Sequence, residues 1–206
     1  MIPISPIRTT SSRSTLEGTV WQRVVSADQA LLLAVRRLES AGMTRLMRML
    51  TRLGDTSSWF LLGLALIAAG GPGPRYGALL GAGAFLAVAA SQVLKRLCCR
   101  TRPNCGLGGF AALVENPDAF SFPSGHTAAA FGIAVALSGE GDWLGALLLI
   151  LASGIAVSRV YLGAHYPLDV AAGVVVGTVA GILGRLLIDG LPLFSLLGYA
   201  VLGLAG

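Results

Sequence analysis

The sequence predicts an all-α membrane protein, a polytopic bundle of five to six transmembrane helices preceded by N-terminal interfacial amphipathic helices. Two observations carry this. Hydrophobic residues make up 54% of the 206-residue chain and charged residues 12%, and the mean hydropathy is +0.75, well above the balance of soluble domains. The apolar residues also gather into six uncharged stretches, 56–74, 76–94, 119–139, 143–158, 170–184 and 190–206, each of which forms most or all of a membrane span. Some fall short of the roughly 20 residues a crossing needs, but flanking Arg and Lys side chains can snorkel to the interface. The sixth stretch is the weakest.

Before the first span, residues 1–16 are rich in Ser, Thr, Pro and Arg and lack an apolar core, so they read as a disordered tail and match no secretory signal. Residues 28–39 combine Leu31, Leu32, Leu33, Val35 and Leu38 with Arg36 and Arg37. They fit a second interfacial helix or part of a short extra span. From Met43, the residues Leu46, Met47, Leu50 and Leu53 recur at helical spacing with Arg45, Arg48 and Arg52 opposite. That is a basic amphipathic helix suited to lying on anionic lipid.

Small residues recur inside the spans at Gly77, Gly81, Gly83, Gly173, Gly177 and Gly181, a pattern that lets helices pack closely in lipid. The longest loop, 95–122, carries Pro103, Gly106, Gly108, Gly109 and Pro117, and long loops in compact proteins often hold function. The other connections are short, and there is neither an internal repeat nor a second domain. The chain divides into 1–55 (tail and interfacial helices), 56–188 (membrane core) and 189–206 (an apolar segment and candidate last span).

The formal net charge is +5, with eight of the fifteen basic residues before Leu53 and four more between Lys95 and Arg102. Two separate centres do not make a nucleic-acid stripe, so no nucleic-acid partner is expected. Cys98, Cys99 and Cys105 are an odd set without zinc spacing. They read as small apolar residues, with one disulfide to Cys105 allowed.

The chain has two histidines and one lysine, and all three lie at span boundaries that crossing parity places on one side of the membrane. That side gathers Lys95, Arg102, Ser124, His126, Arg159, His165 and Asp169, a cluster that calls for an anion. Phosphate suits it: guanidinium groups bind its oxygens in bidentate fashion, Lys adds a point charge, and the three cations stabilise charge developing in phosphoryl transfer. Pro123 to Thr127 opens the third span, so its backbone N–H groups offer an anion site at a helix N-terminus, with Gly125 allowing close approach. His165 and Asp169 are four residues apart, with Pro167 suited to a first helical turn. Asp169 is therefore expected to accept from one ring nitrogen of His165 and leave the other free to attack, with His126 as general acid.

These residues resemble the type 2 phosphatidic acid phosphatase superfamily, which shares its site with vanadium haloperoxidases and bacterial class A acid phosphatases. Its first motif, Lys followed after six residues by Arg-Pro, is Lys95 with Arg102-Pro103. Its second, Pro-Ser-Gly-His, is Pro123 to His126; its third is Ser158-Arg159, His165 and Asp169. The resemblance covers about residues 56–188. It implies a phosphohistidine on His165, with His126 and Asp169 as its catalytic partners. Phosphate would be bound by Lys95, Arg102, Ser124, Gly125 and Arg159, with no metal and no cofactor. It further implies a lipid phosphate substrate, such as phosphatidate, phosphatidylglycerol phosphate or polyprenyl diphosphate, among membrane lipids. The site would lie on the extracytoplasmic face of a bacterial inner membrane.

Arg96, Arg100 and Arg185 read as topology signals or snorkelling anchors, and Glu115, Asp118, Glu140 and Asp142 as solvated loop residues. The rivals are a lipid phosphotransferase using the same residues and a non-catalytic protein that binds anionic lipid. A peroxidase is disfavoured because the family's peroxidases are soluble and larger.

Overall fold

The computed structural model describes residues 12–115, 118–140 and 142–190, all of them helix or connecting segment. The helices are α1 (Ser12–Arg36), α2 (Ala41–Leu53), α3 (Thr56–Ala68), α4 (Gly73–Cys98), the short α5 (Pro103–Gly106), α6 (Gly125–Leu137), α7 (Asp142–Tyr161) and α8 (Pro167–Asp189). Most of the final apolar stretch, and most of the polar tail expected at the N-terminus, lie outside the described residues. Residues 12–16, which the sequence assigns to that tail, are instead helical and belong to a helix that runs unbroken to Arg36. The two readings of 28–39 therefore give way to the second half of one long helix. α2 follows at once, because Ser40 caps it and accepts a hydrogen bond from the Met43 N–H at 3.3 Å.

Three helices, α4, α7 and α8, are long and apolar enough to cross a membrane. Two of the expected spans are shorter. α3 ends at Ala68, before a turn in which Gly70 (φ +70) and Gly71 (φ +55) adopt a left-handed backbone. Residues 119–124 are not helical, because Pro123 forces the preceding residue out of the α region and helix starts only at Gly125. α3 and α6 have 13 residues each, about 20 Å at 1.5 Å per residue, against a hydrocarbon core of about 30 Å.

The short α6 is the centre of the bundle. Nine of its thirteen residues are buried, and it packs against α8, α4 and α7. Close approach explains the small residues. A Cβ on Gly177 would lie 2.3 Å from the Ala128 carbonyl oxygen, one on Gly181 2.6 Å from that of Gly132, and one on Gly83 2.5 Å from the same oxygen. Gly81 differs, since a Cβ there would meet nothing within 4 Å. Gly177→Leu is accordingly expected to destabilise the protein by about 1–3 kcal/mol through overpacking, and Gly81→Leu to have little effect. Thermal unfolding in detergent checks the pair.

Candidate functional site

The two sequence-distant ends of the bundle are tied together at the N-terminus of α6. The Ser124 N–H donates to the Asp169 carbonyl in the first turn of α8 at 2.9 Å, and the buried Ser124 hydroxyl accepts from Thr127 at 2.9 Å. This contact carries the Pro-Ser-Gly-His segment to the Arg159–Asp169 segment. Between them lies a cavity of about 190 Å³ lined by Lys95, Arg102, Gly125, His126, Arg159 and His165. Six of the eight expected site residues thus share one wall. Ser124 and Asp169 stand behind it, both wholly buried.

His165 sits in the turn between α7 and α8 and is 1% exposed. Its Nδ1 lies 2.7 Å from the Ser121 carbonyl oxygen, and a carbonyl only accepts, so Nδ1 carries the proton and Nε2 keeps its lone pair. Arg102 Nη1 approaches that Nε2 at 3.3 Å. Burial, reinforced by the nearby Arg159, Arg102 and Lys95 charges, pushes His165 well below the usual imidazole pKa. The ring is neutral.

Asp169 does not make the expected hydrogen bond. Its Oδ2 is 3.7 Å from His165 Nδ1, because that oxygen accepts the Tyr166 N–H at 2.9 Å and caps α8. Its Oδ1 accepts from Arg100 Nη1 at 2.6 Å. Arg100 is therefore no snorkelling anchor. Its other arm reaches the buried Asp28 of α1 at 2.5 Å, and its guanidinium lies over the Tyr166 ring at 4.3 Å. Asp28 in turn accepts the Leu168 N–H at 2.9 Å. One cation thus joins α1 to the α8 N-terminus behind His165.

Asp118 also departs from expectation. Its carboxylate is no solvated loop group but bridges Lys95 Nζ and Arg102 Nη2, while its carbonyl accepts from Arg102 Nε at 2.8 Å. Burial acts to raise its pKa, but the hydrogen bonds and charges of Lys95 and Arg102 outweigh this and hold it below the usual carboxylate range. Asp55, from the α2–α3 turn, pairs with His126 Nε2 at 2.9 Å. Arg159 donates to Thr51 of α2 at 2.6 Å, while its Nε and the Trp59 Nε1 are buried donors without a protein acceptor. Both residues line the cavity, which suits a ligand rich in acceptor oxygens. A Cβ on Gly125 would meet no atom within 4 Å, so the glycine leaves open space there. Asp55, Asp118, Arg100, Ser121 and Trp59 were missed by the sequence reading, and no local spacing marks them. Cys98, Cys99 and Cys105 are free and exposed, so the allowed disulfide is not formed. Among the described residues no three His, Cys, Asp or Glu side chains gather as metal ligands.

Fold and cavity together define a helical membrane protein with a buried cationic site flanked by two imidazoles, suited to a phosphate-like anion. Residues 76–190 match the model of the PAP2 superfamily. The chain is 34% identical over 163 residues to decaprenylphosphoryl-5-phosphoribose phosphatase of Mycobacterium tuberculosis, covering 78% of this chain and 90% of the relative. Among solved structures it is similar to Aquifex aeolicus LpxE, with a TM-score of 0.67 and 29% identity over 75% of this chain and 92% of that one. It is also similar to the PAP2-type phosphatidylglycerolphosphate phosphatase of Bacillus subtilis, with a TM-score of 0.65 and 26% identity over 81% of this chain and 87% of that one. The chain belongs to the PAP2 superfamily. It is an integral membrane protein and a phosphoric ester hydrolase.

Proposed function

We propose that the protein is a metal-independent lipid phosphate phosphatase that works through a phosphohistidine on His165. The observation that carries this is the cavity that Lys95, Arg102 and Arg159 line together with His165, whose unprotonated Nε2 lies 3.3 Å from Arg102 Nη1. Nε2 donates its lone pair to phosphorus, the bond from phosphorus to the lipid oxygen breaks, and His126 gives that oxygen a proton. The three cations hold the transferring oxygens and offset their developing charge. Phosphorylation leaves the His165 ring cationic. Nδ1 keeps its proton and donates a hydrogen bond to the Ser121 carbonyl, and the Asp169 carboxylate 3.7 Å away stabilises the charge. Asp169 thus acts mainly by electrostatics and by capping α8. Water then breaks the P–N bond, and its proton returns to His126, whose partner Asp55 compensates the charge.

The names of the relatives point to phosphorylated membrane lipids with large apolar tails as the substrate class, and the family resemblance favours an extracytoplasmic site. Rapid quenching of purified protein with a radiolabelled lipid phosphate tests the mechanism. An acid-labile, base-stable phosphoprotein should form in excess EDTA and disappear in His165→Gln. Turnover that stops in EDTA and returns with a divalent metal would overturn the metal-independent part.

Asp118 stands where substrate oxygens must go, so phosphate has to displace it from Lys95 and Arg102. Removing its charge should therefore improve anion binding. Asp118→Asn is expected to lower the inhibition constant for vanadate by roughly 5- to 30-fold, since a like charge beside an incoming anion costs on the order of 1–2 kcal/mol. Weaker vanadate inhibition in Asp118→Asn would instead make Asp118 an organiser of the two cations.

A further inference from the structure

The proposed catalytic cavity does not end at His126. Beyond it a second cavity of about 400 Å³ opens between α2 and residues 113–115, and His126 and Arg159 line both. Their other walls differ. The first is completed by Trp59, Ala84 and Val88, whereas the second has Leu113 and Val114 on one side, is otherwise walled by Arg48, Thr51, Arg52, Asp55 and Glu115, and does not include His165.

In-line attack by His165 sends the leaving oxygen to the side away from Nε2, and the group that protonates it, His126, forms the boundary between the chambers. The atoms next to the leaving oxygen therefore face the second chamber. An acyl or prenyl chain is a poor occupant of a space bounded by guanidinium and carboxylate groups, because their water would be stripped without replacement. Hydroxyls are good occupants, since Asp55 uses only Oδ1 on His126 and its other oxygen can accept. An anion is also called for. Arg48 spends Nε and Nη2 on the Leu113 carbonyl, while the Arg52 side chain makes no hydrogen bond or ion pair among the described residues.

We propose that this second chamber is a leaving-group subsite for a hydroxyl-bearing headgroup with a second anion. The preferred substrate is then a lipid whose terminal phosphomonoester is joined through a short polyol, glycerol or a sugar, to an internal phosphodiester held by Arg52. This rests on the phosphatase reading above and narrows it, since the glycerol of phosphatidate is fully esterified and a prenyl diphosphate has no polyol, so neither offers a free hydroxyl beside its reacting phosphate.

The test compares three substrates in neutral detergent micelles: phosphatidylglycerol phosphate, which has a free hydroxyl beside its terminal phosphate and a second anion; phosphatidate, which has neither; and nitrophenyl phosphate. Wild-type protein should prefer the first over phosphatidate by at least roughly tenfold in kcat/KM. Arg52→Gln should lose about tenfold more on the first than on the other two, mainly through KM, the size expected for one charge-assisted hydrogen bond. Equal fractional losses on all three would overturn the subsite. So would a loss that appears only when anionic vesicles replace neutral micelles, because Arg52 would then be reading membrane charge. If wild-type protein releases phosphate from none of the three, the phosphatase reading itself falls. Release from all three without dependence on Arg52 removes the subsite alone.

Discussion

His165→Ala is expected to release no detectable phosphate from any substrate, whereas His126→Ala is expected to fail selectively. The first variant loses the proposed nucleophile, so neither a good nor a poor leaving group restores turnover. The second loses the proposed proton donor, whose help is worth roughly 10²- to 10⁴-fold when the departing alkoxide is a poor leaving group. A nitrophenolate departs without that proton. His126→Ala should therefore keep a much larger fraction of its wild-type rate on nitrophenyl phosphate than on a lipid phosphate. Steady-state rates on both substrates decide it, with thermal unfolding as a control because His165 is 1% exposed. Equal fractional losses for His126→Ala would make His126 a phosphate ligand or a structural partner of Asp55.

The second large effect is expected on stability. Arg100→Met removes the one cation shared by Asp28, whose side chain is 1% exposed, and Asp169, which is wholly buried. Two carboxylates then remain in the interior without their counter-ion. Breaking such a buried group typically costs about 3–5 kcal/mol, enough to threaten a domain of ordinary stability. The loss should appear as a lower unfolding temperature in detergent and as proteolysis of α1, which Asp28 ties to the Leu168 N–H at 2.9 Å. Asp28→Asn combined with Arg100→Met should recover part of it, because one of the stranded charges is gone. An Arg100→Met protein as stable as wild type would show that the network contributes little.

Much of the site was legible in the sequence because three ordered motifs lie at span boundaries. The structure brings Lys95, Arg102, His126, Arg159 and His165 to one cavity. The reading of His165 and Asp169 was wrong in detail for a local reason. Spacing of i and i+4 brings side chains together inside a helix, but α8 begins at Pro167, so His165 precedes it. Asp169 at the third helical position caps the Tyr166 N–H instead. Likewise an uncharged stretch of 21 residues at 119–139 looked like a span, but hydropathy is blind to the start of a helix, which Pro123 and Ser124 set.

By itself the sequence determined that the chain is an apolar helical bundle and named the cations and imidazoles that line one cavity, because composition, periodicity and short motifs act over a few residues. Only the tertiary structure decided which partners meet them. Arg100 and Asp28 are 72 residues apart, His126 and Asp55 71, and Arg159 and Thr51 108. A buried charge takes whichever partner packing delivers to it. Burying the small faces of α4, α6 and α8 together fixes where Asp169 and the side chains lining the cavity lie, and the docking of α1, α2 and Asp118 on that bundle brings up the carboxylates, so no local spacing announces those pairs.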